Sequence, residues 1–198
     1  AVEGVSAYPQ EVTAQMVRNI IAGGAAVNVL ARHVGAEVVC VDVGVADPLD
    51  GVEGLVRRKV RPGTANIANG PAMSAGDATE AIDAGIRCAH EAADDGVTLL
   101  GTGEMGIANT TASTALYAAL LDREPTEIAG RGTGIDDGGF ERKLRVIRQA
   151  LDANREHFAN PLSTLAALGG LEIAAIAGLV LGAAERRIPA VVDGFIST

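Results

Sequence analysis

Apolar and polar positions change period repeatedly along this chain, and each change marks an element. Val12, Met16, Ile20 and Ile21 recur at i, i+4, i+8 and i+9, one face of a helix. Gly23-Gly24 interrupts that face before Val27–Val34 resumes it, so Pro9–Val34 reads as a helical hairpin closed by Gly35 as a helix C-terminus. Residues 37–43 are a β-branched run, read as a buried strand ending near Asp42 and Gly44. A loop over 46–54 leads to a second strand over 55–60, where Arg57, Arg58, Lys59 and Arg61 form the basic cluster of the chain. Asn69-Gly-Pro-Ala-Met reads as a turn. Ser74 with Asp77 forms a capping box for a helix over 75–95, with Ala78, Ile82, Ile86 and Ala89 as its apolar face. Val97–Leu100 predicts the next strand, and residues 110–122 a helix. The helix over 140–158 is amphipathic, with Phe140, Leu144, Ile147 and Leu151 on one side and Arg142, Lys143, Arg145 and Arg148 around the rest. Residues 161–187 read as helical, nearly all apolar and deeply packed, and 188–196 as a final strand ending in Asp193-Gly194.

Strand, loop and helix thus alternate at crossover length, which predicts an α/β fold with a parallel sheet wrapped by helices. No internal repeat or low-complexity segment interrupts it. A length of 198 residues suits one domain with a substantial core. Hydrophobic residues make up 48% but aromatics only 3%, so that core is aliphatic. The net charge of −9 argues against a nucleic-acid or anionic-membrane surface, both of which reward Lys and Arg patches. Cys40 and Cys88 lack any CxxC or metal-ligand spacing and read as buried thiols of a cytoplasmic protein. Residues 1–3 look like neither a natural start nor a signal. The most apolar run, 169–184, contains Glu172 and four glycines and is too short and broken to span a membrane.

Ligands of parallel α/β folds bind at the carboxyl ends of strands, where the pattern puts three loops: 101–111, 130–139 and 193–198. Gly101, Gly103 and Gly106 in the first, and Gly130, Gly132 and Gly134 in the second, precede helices, whose N-termini offer N–H groups to a phosphate. The alternative is that both are simply tight strand-to-helix connections. GTGEMG is a distorted GxGxxG, and no Gly-Lys-Ser/Thr P-loop occurs. Lys143, one turn past Gly139, either reaches back to an anion or joins a solvated helix face. Asp136-Asp137 could bind a ribose or a metal, but before a helix they more simply complement its dipole. Asp42 and Asp193 end apolar strands, where polar groups often serve a site. His33, His90 and His157 lie on helices without ligand spacing, and no Gly-x-Ser-x-Gly is present. Glu104 stands out, since a carboxylate held among glycines either accepts a proton or a substrate N–H, or is merely a solvated loop residue.

GEMGIANTTA (103–112), GRGTGIDDGG (130–139) followed by Lys143, PLSTLAALGGLEIAAIAG (161–178) and RRIPAVVDGFIST (186–198) resemble the nicotinate-nucleotide–dimethylbenzimidazole phosphoribosyltransferases of cobalamin lower-ligand synthesis. GVSAYPQEVTAQMVRN (4–19) and PAMS (71–74) match in the same order, so the resemblance covers essentially the whole chain. It implies a Rossmann-like parallel sheet with part of a small helical domain, usually in a homodimer. It also implies transfer of phosphoribose from nicotinate mononucleotide to 5,6-dimethylbenzimidazole, with no cofactor. By carry-over, Gly106, Gly132, Thr133 and Lys143 hold the nucleotide, and Gly134 of the same glycine loop is read with them as substrate-binding. Glu104, as an assisting carboxylate, and Met105 face the azole, with Ser6, Tyr8 and Gln15 lining its pocket; Asp193, from its place at a strand end, is read as a further substrate-binding residue. The resemblance further implies a family segment before residue 4 and another after residue 198, the latter carrying the glutamate that acts as principal base. The alternative is a binding core without turnover, or a structural core whose interface is the apolar 161–184 stretch. The family motif reads GIGNTT where this chain has GIANTT, so Ala108 stands in a glycine position.

Overall fold

The computed structural model describes residues 1–198. The helical hairpin forms as α1 (Val12–Ile21) and α2 (Ala26–Val34), and Gly35 closes α2 in the left-handed conformation at φ 71°. Strands β1 (Val41–Asp42) and β2 (Val56–Arg57) pair in parallel, with Val41 opposite Val56. The chain continues through α3 (Ala75–Asp94), β3 (Leu100–Gly101), α4 (Asn109–Leu121), a short α5 (Pro125–Ile128) and α6 (Asp137–Ala153). A 3₁₀ turn at Arg155–His157, α7 (Pro161–Leu168), α8 (Leu171–Glu185) and β4 (Ala190–Val191) complete it. β3 and β4 pair in parallel through Leu100 and Ala190.

The fold is the expected α/β class with parallel pairing, but the ladder divides into two separate two-stranded sheets. The long apolar runs at 37–43 and 188–196 contribute only two paired residues each. Val39, Leu99 and Val191 stay exposed at their edges.

The expected 161–187 helix breaks at Gly169-Gly170 into α7 and α8. Asn160 caps α7, accepting from the Ser163 N–H at 3.0 Å. Deep packing holds for only one face of α8. Ala174, Gly178, Gly182 and Ala183 are buried, whereas Leu181 is 57% exposed. The reason is the closeness of α3: a Cβ on Gly178 would run into the carbonyl oxygen of Ile82, and one on Gly85 into that of Ala175. Small residues therefore face the seam, and large ones turn away from it. Ser74 and Asp77 form the expected capping box of α3, each accepting from the other's backbone N–H at 3.0 Å.

Alanine dominates the core. One cluster joins α3, α7 and α8 through Ala78, Ala81, Ala166, Leu171 and Ala174, and a second joins α4, α6 and α7 through Leu116, Ile147, Ala150 and Leu168. Asp42 belongs to this scaffold rather than to a ligand site. It is buried and accepts from the Gly44 and Val45 N–H groups at 3.0 and 2.9 Å, with the Lys59 ammonium 3.2 Å away. Cys40 and Cys88 are half-buried free thiols, pushed up from the ordinary thiol value by that burial. No helix is long and apolar enough to cross a membrane.

Candidate functional site

The first glycine loop leaves β3 at Gly101 and enters α4 through Ala108, an L-residue held in the left-handed conformation at φ 75°, ψ 6°. That conformation costs an L-residue roughly 1–2 kcal/mol. No side chain caps α4. The Asn109 and Thr111 N–H groups turn back to the Gly106 and Ala108 carbonyls at 3.1 and 3.0 Å, which leaves the intervening Thr110 N–H without a protein acceptor. Thr13 on α1 steadies the loop, its hydroxyl accepting from the Ile107 N–H at 3.1 Å.

Within this loop Glu104 is partly buried and accepts a hydrogen bond from the Asn109 side-chain amide. Burial pushes its carboxyl above the ordinary glutamate value, and Asn109 pulls it partly back. A second carboxyl joins it. Glu172, the second residue of α8, brings its oxygens within 2.6–2.7 Å of where a Cβ on Gly170 would stand, and within 3.2 Å of the same point at Gly106. Two glycines from different loops thus make room for one carboxyl. Burial raises the Glu172 pKa first, and the negative charge of Glu104 raises it further.

The second loop works differently. Asp136 caps α6 by accepting from the Gly139 N–H at 2.8 Å, and Asp137 pairs with Arg131, whose guanidinium also donates to the Ile135 carbonyl at 3.0 Å. Both acids of Asp136-Asp137 are therefore engaged at the helix start. Lys143 is fully buried, contrary to a place on the solvated side of α6. Its ammonium donates to Thr110 Oγ1 and to the Gly130 carbonyl, both at 2.9 Å, and no carboxylate pairs with it. Desolvation accordingly lowers its pKa. The close approach explains Gly132, which has φ 57° and whose added Cβ would stand 2.9 Å from Thr110 Oγ1.

The two loops meet at a pocket of about 170 Å³ lined by Val5, Ser6, Glu104–Thr110 and Thr133. The N-terminal segment closes it: the Ala7 N–H donates to Thr133 Oγ1 at 2.8 Å, and Ser6 Oγ lies 3.2 Å from the same oxygen. Ser6, Glu104, Met105, Gly106 and Thr133 are thus brought together around one pocket. Lys143 and Gly132 stand immediately behind the wall at Thr110. Gly134, in a left-handed turn at φ 84°, lies outside the lining. Tyr8 is 55% exposed and Gln15 is exposed on α1, and neither lines this pocket. Asp193 is exposed and borders a larger neighbouring cleft of about 1950 Å³, which also takes in Glu104, Asn109 and Glu172. No group of three His, Cys, Asp or Glu side chains gathers in a metal-holding arrangement.

Pattern reading overlooked Thr13, Asn109, Thr110 and Glu172. For Glu172 a signal existed, because it is the one acid in an otherwise apolar stretch of sixteen residues, 169–184. The other three read as ordinary helix-start residues, and only the tertiary approach of the loops gives them partners.

A family model described as Phosphoribosyltransferase matches residues 1–198. Among curated proteins, the nicotinate-nucleotide–dimethylbenzimidazole phosphoribosyltransferase of Pelodictyon phaeoclathratiforme is 59% identical over 198 residues. That of Chlorobium chlorochromatii is 60% identical over the same length. In each case all of this chain aligns with 56% of the relative, so the chain spans about half the length of the curated relatives it matches. The crystal structure of CobT from Thermus thermophilus superposes with a TM-score of 0.94 at 49% identity, covering 99% of this chain and 59% of that one.

Proposed function

Because the chain belongs to the nicotinate-nucleotide–dimethylbenzimidazole phosphoribosyltransferase family, we propose that it moves phosphoribose from nicotinate mononucleotide to 5,6-dimethylbenzimidazole. The products are α-ribazole 5′-phosphate and nicotinate, and the step serves cobalamin biosynthesis. The observation that carries this reading is a pair of unneutralised charges flanking one pocket. The Lys143 ammonium lies behind Thr110 without a carboxylate, and the Glu104 carboxyl lies in the facing loop without a cation. A buried charge without a partner is expensive in an empty site and favourable once the ligand supplies the opposite sign.

The chemistry suits this division. Nicotinate leaves C1′ as a neutral ring, taking the electron pair of the glycosidic bond, so its departure needs no acid. The sugar carbon becomes cationic as the bond breaks. The azole then attacks from the opposite face with one ring nitrogen while its N–H proton is removed from the other. Lys143, through the Thr110 hydroxyl, together with the uncapped start of α4, supplies positive potential for the phosphoribosyl group. Glu104 accepts the azole N–H, and Met105 offers an apolar face to its flat ring. Holding both substrates in line converts an encounter into an oriented displacement. The family resemblance assigns the principal base to a different glutamate, leaving Glu104 to bind and assist. It also carries a homodimeric, cytoplasmic enzyme.

The deciding assay mixes the protein with both substrates and follows α-ribazole phosphate by chromatography. Product formation that depends on both is expected. Binding of both without product overturns the enzymatic reading in favour of a binding module, and binding of neither leaves a structural core.

A further inference from the structure

Glu172 has no place in the mechanism above, yet the structure makes unusual room for it. It starts α8, where the helix dipole favours negative charge, but no Lys, Arg or His pairs with it, and the charged group acting on it is Glu104, of the same sign. The Asn109 amide donates to Glu104 and lies beside the Glu172 carboxyl. At Gly106, the point where a Cβ would stand is 3.2 Å from Glu172 Oε1 and 3.3 Å from Asn109 Nδ2, so carboxyl and amide converge on the wall of the substrate loop. Gly170 gives way to the same carboxyl from the other side.

We propose that Glu172 is a positioning residue for Glu104: the two carboxyls and the Asn109 amide form a unit that carries one proton, with Glu172 keeping it while Glu104 is ionised and aimed at the azole. This rests on the function proposed above. Two like charges set against one amide in a partly desolvated cleft do not ionise together, so the first proton leaves one carboxyl and the second is retained. Glu104 is the one to ionise, because it takes the direct Asn109 hydrogen bond and faces the pocket. Its carboxylate then accepts a hydrogen bond from the azole N–H and so aims the opposite ring nitrogen, which donates its electron pair to C1′ as the C1′–nicotinate pair departs with nicotinate. With a proton held alongside, Glu172 adds no second negative charge to the site. Gln in its place can imitate the protonated state.

The test is a carbon-13 titration of side-chain glutamate carboxyls in the full chain without ligand, assigned with E104Q and E172Q. Glu172 is expected to titrate after Glu104, and E104Q to lower the Glu172 midpoint by about one pH unit. E172Q should move the Glu104 midpoint much less. A Glu172 midpoint at the ordinary glutamate value, unmoved by E104Q, overturns the proposal. Calorimetry supplies the second readout, with dimethylbenzimidazole and nicotinate mononucleotide as separate probes. E172Q should keep azole affinity within about twofold, whereas E172A should lose about tenfold, and neither should change nucleotide affinity. Equal loss of both ligands in E172Q makes Glu172 a merely structural residue and overturns the proposal. If wild-type protein binds neither probe, the functional reading fails, and the titration still decides whether the carboxyls form a unit.

Discussion

The two glycine loops look alike in sequence and do opposite things. The loop at 101–111 enters a helix with no side-chain cap, carries Glu104, and relies on α1 and Asn109 to hold it. The loop at 130–139 enters a helix whose cap is supplied by Asp136, and its charge arrives from Lys143 a turn later. In the first, the backbone of the helix start is left open. In the second it is already engaged, and a buried ammonium takes its place. Glycine content alone therefore does not reveal whether a loop offers N–H groups, and the cap residue decides.

That contrast can be broken at several points. The largest effect is expected from Lys143→Met, which removes the positive charge but keeps the volume. Nicotinate mononucleotide affinity should fall about 30- to 100-fold, while the unliganded protein unfolds no more easily, since no ammonium is then desolvated. Calorimetry with a parallel urea titration reads both quantities, and retained nucleotide affinity would sink the anion-site assignment. Glu104→Gln should weaken dimethylbenzimidazole binding about tenfold and nucleotide binding by less than about twofold. Equal loss would return Glu104 to a general structural role.

Asp136→Ala should cost about 1 kcal/mol of stability through loss of the α6 cap and leave both affinities unchanged. A change in nucleotide affinity would mean that this helix start takes part in binding after all. Ala108→Gly should stabilise the chain by about 0.5–1 kcal/mol, relief of left-handed strain outweighing the entropy of glycine. A loss of stability there would contradict the strained geometry.

Smallest is a pH effect. Glu104 and Glu172 hold protons more tightly folded than unfolded, so they lower stability as pH rises above their ordinary value of 4.5 toward their raised values, and add nothing further beyond. Asp77, held below its ordinary 3.8 by the Ser74 N–H, acts in a more acidic window and with the opposite sign. Denaturation midpoints of an E104Q/E172Q double variant should therefore decline less steeply above pH 4.5 than those of the wild type. An unchanged slope would show that neither carboxyl is perturbed.

Much of this was legible beforehand because it is local. The Ser74–Asp77 capping box, the Gly35 terminus and the amphipathic face containing Leu144 and Ile147 depend on near neighbours, and the structure has all three. The convergence of Ser6, Glu104 and Thr133 was legible only through a whole-chain resemblance. What escaped was decided by long-range approach. Lys143 shares its helix with exposed arginines and is distinguished from them by its partners, the Gly130 carbonyl and Thr110, the latter thirty-three residues away. Glu172 looked like a polar interruption of an apolar run until Gly106 came against it. Gln15 and Thr13 sit two residues apart on α1, and only their orientation separates the exposed side chain from the one that meets the loop.

The seam between α3 and α8 carries a consequence for heredity. At Gly178 and Gly85 the neighbour is main chain, so no compensating change of side chain across the seam can restore the fit. Every amino acid reachable from glycine by altering its codon brings at least a Cβ. These positions have no tolerated neighbour in sequence space, whereas Ala108 has an easy one. Drift is thus channelled away from the helix pair that sets Glu172 in place and toward the loops, which can change without disturbing the frame.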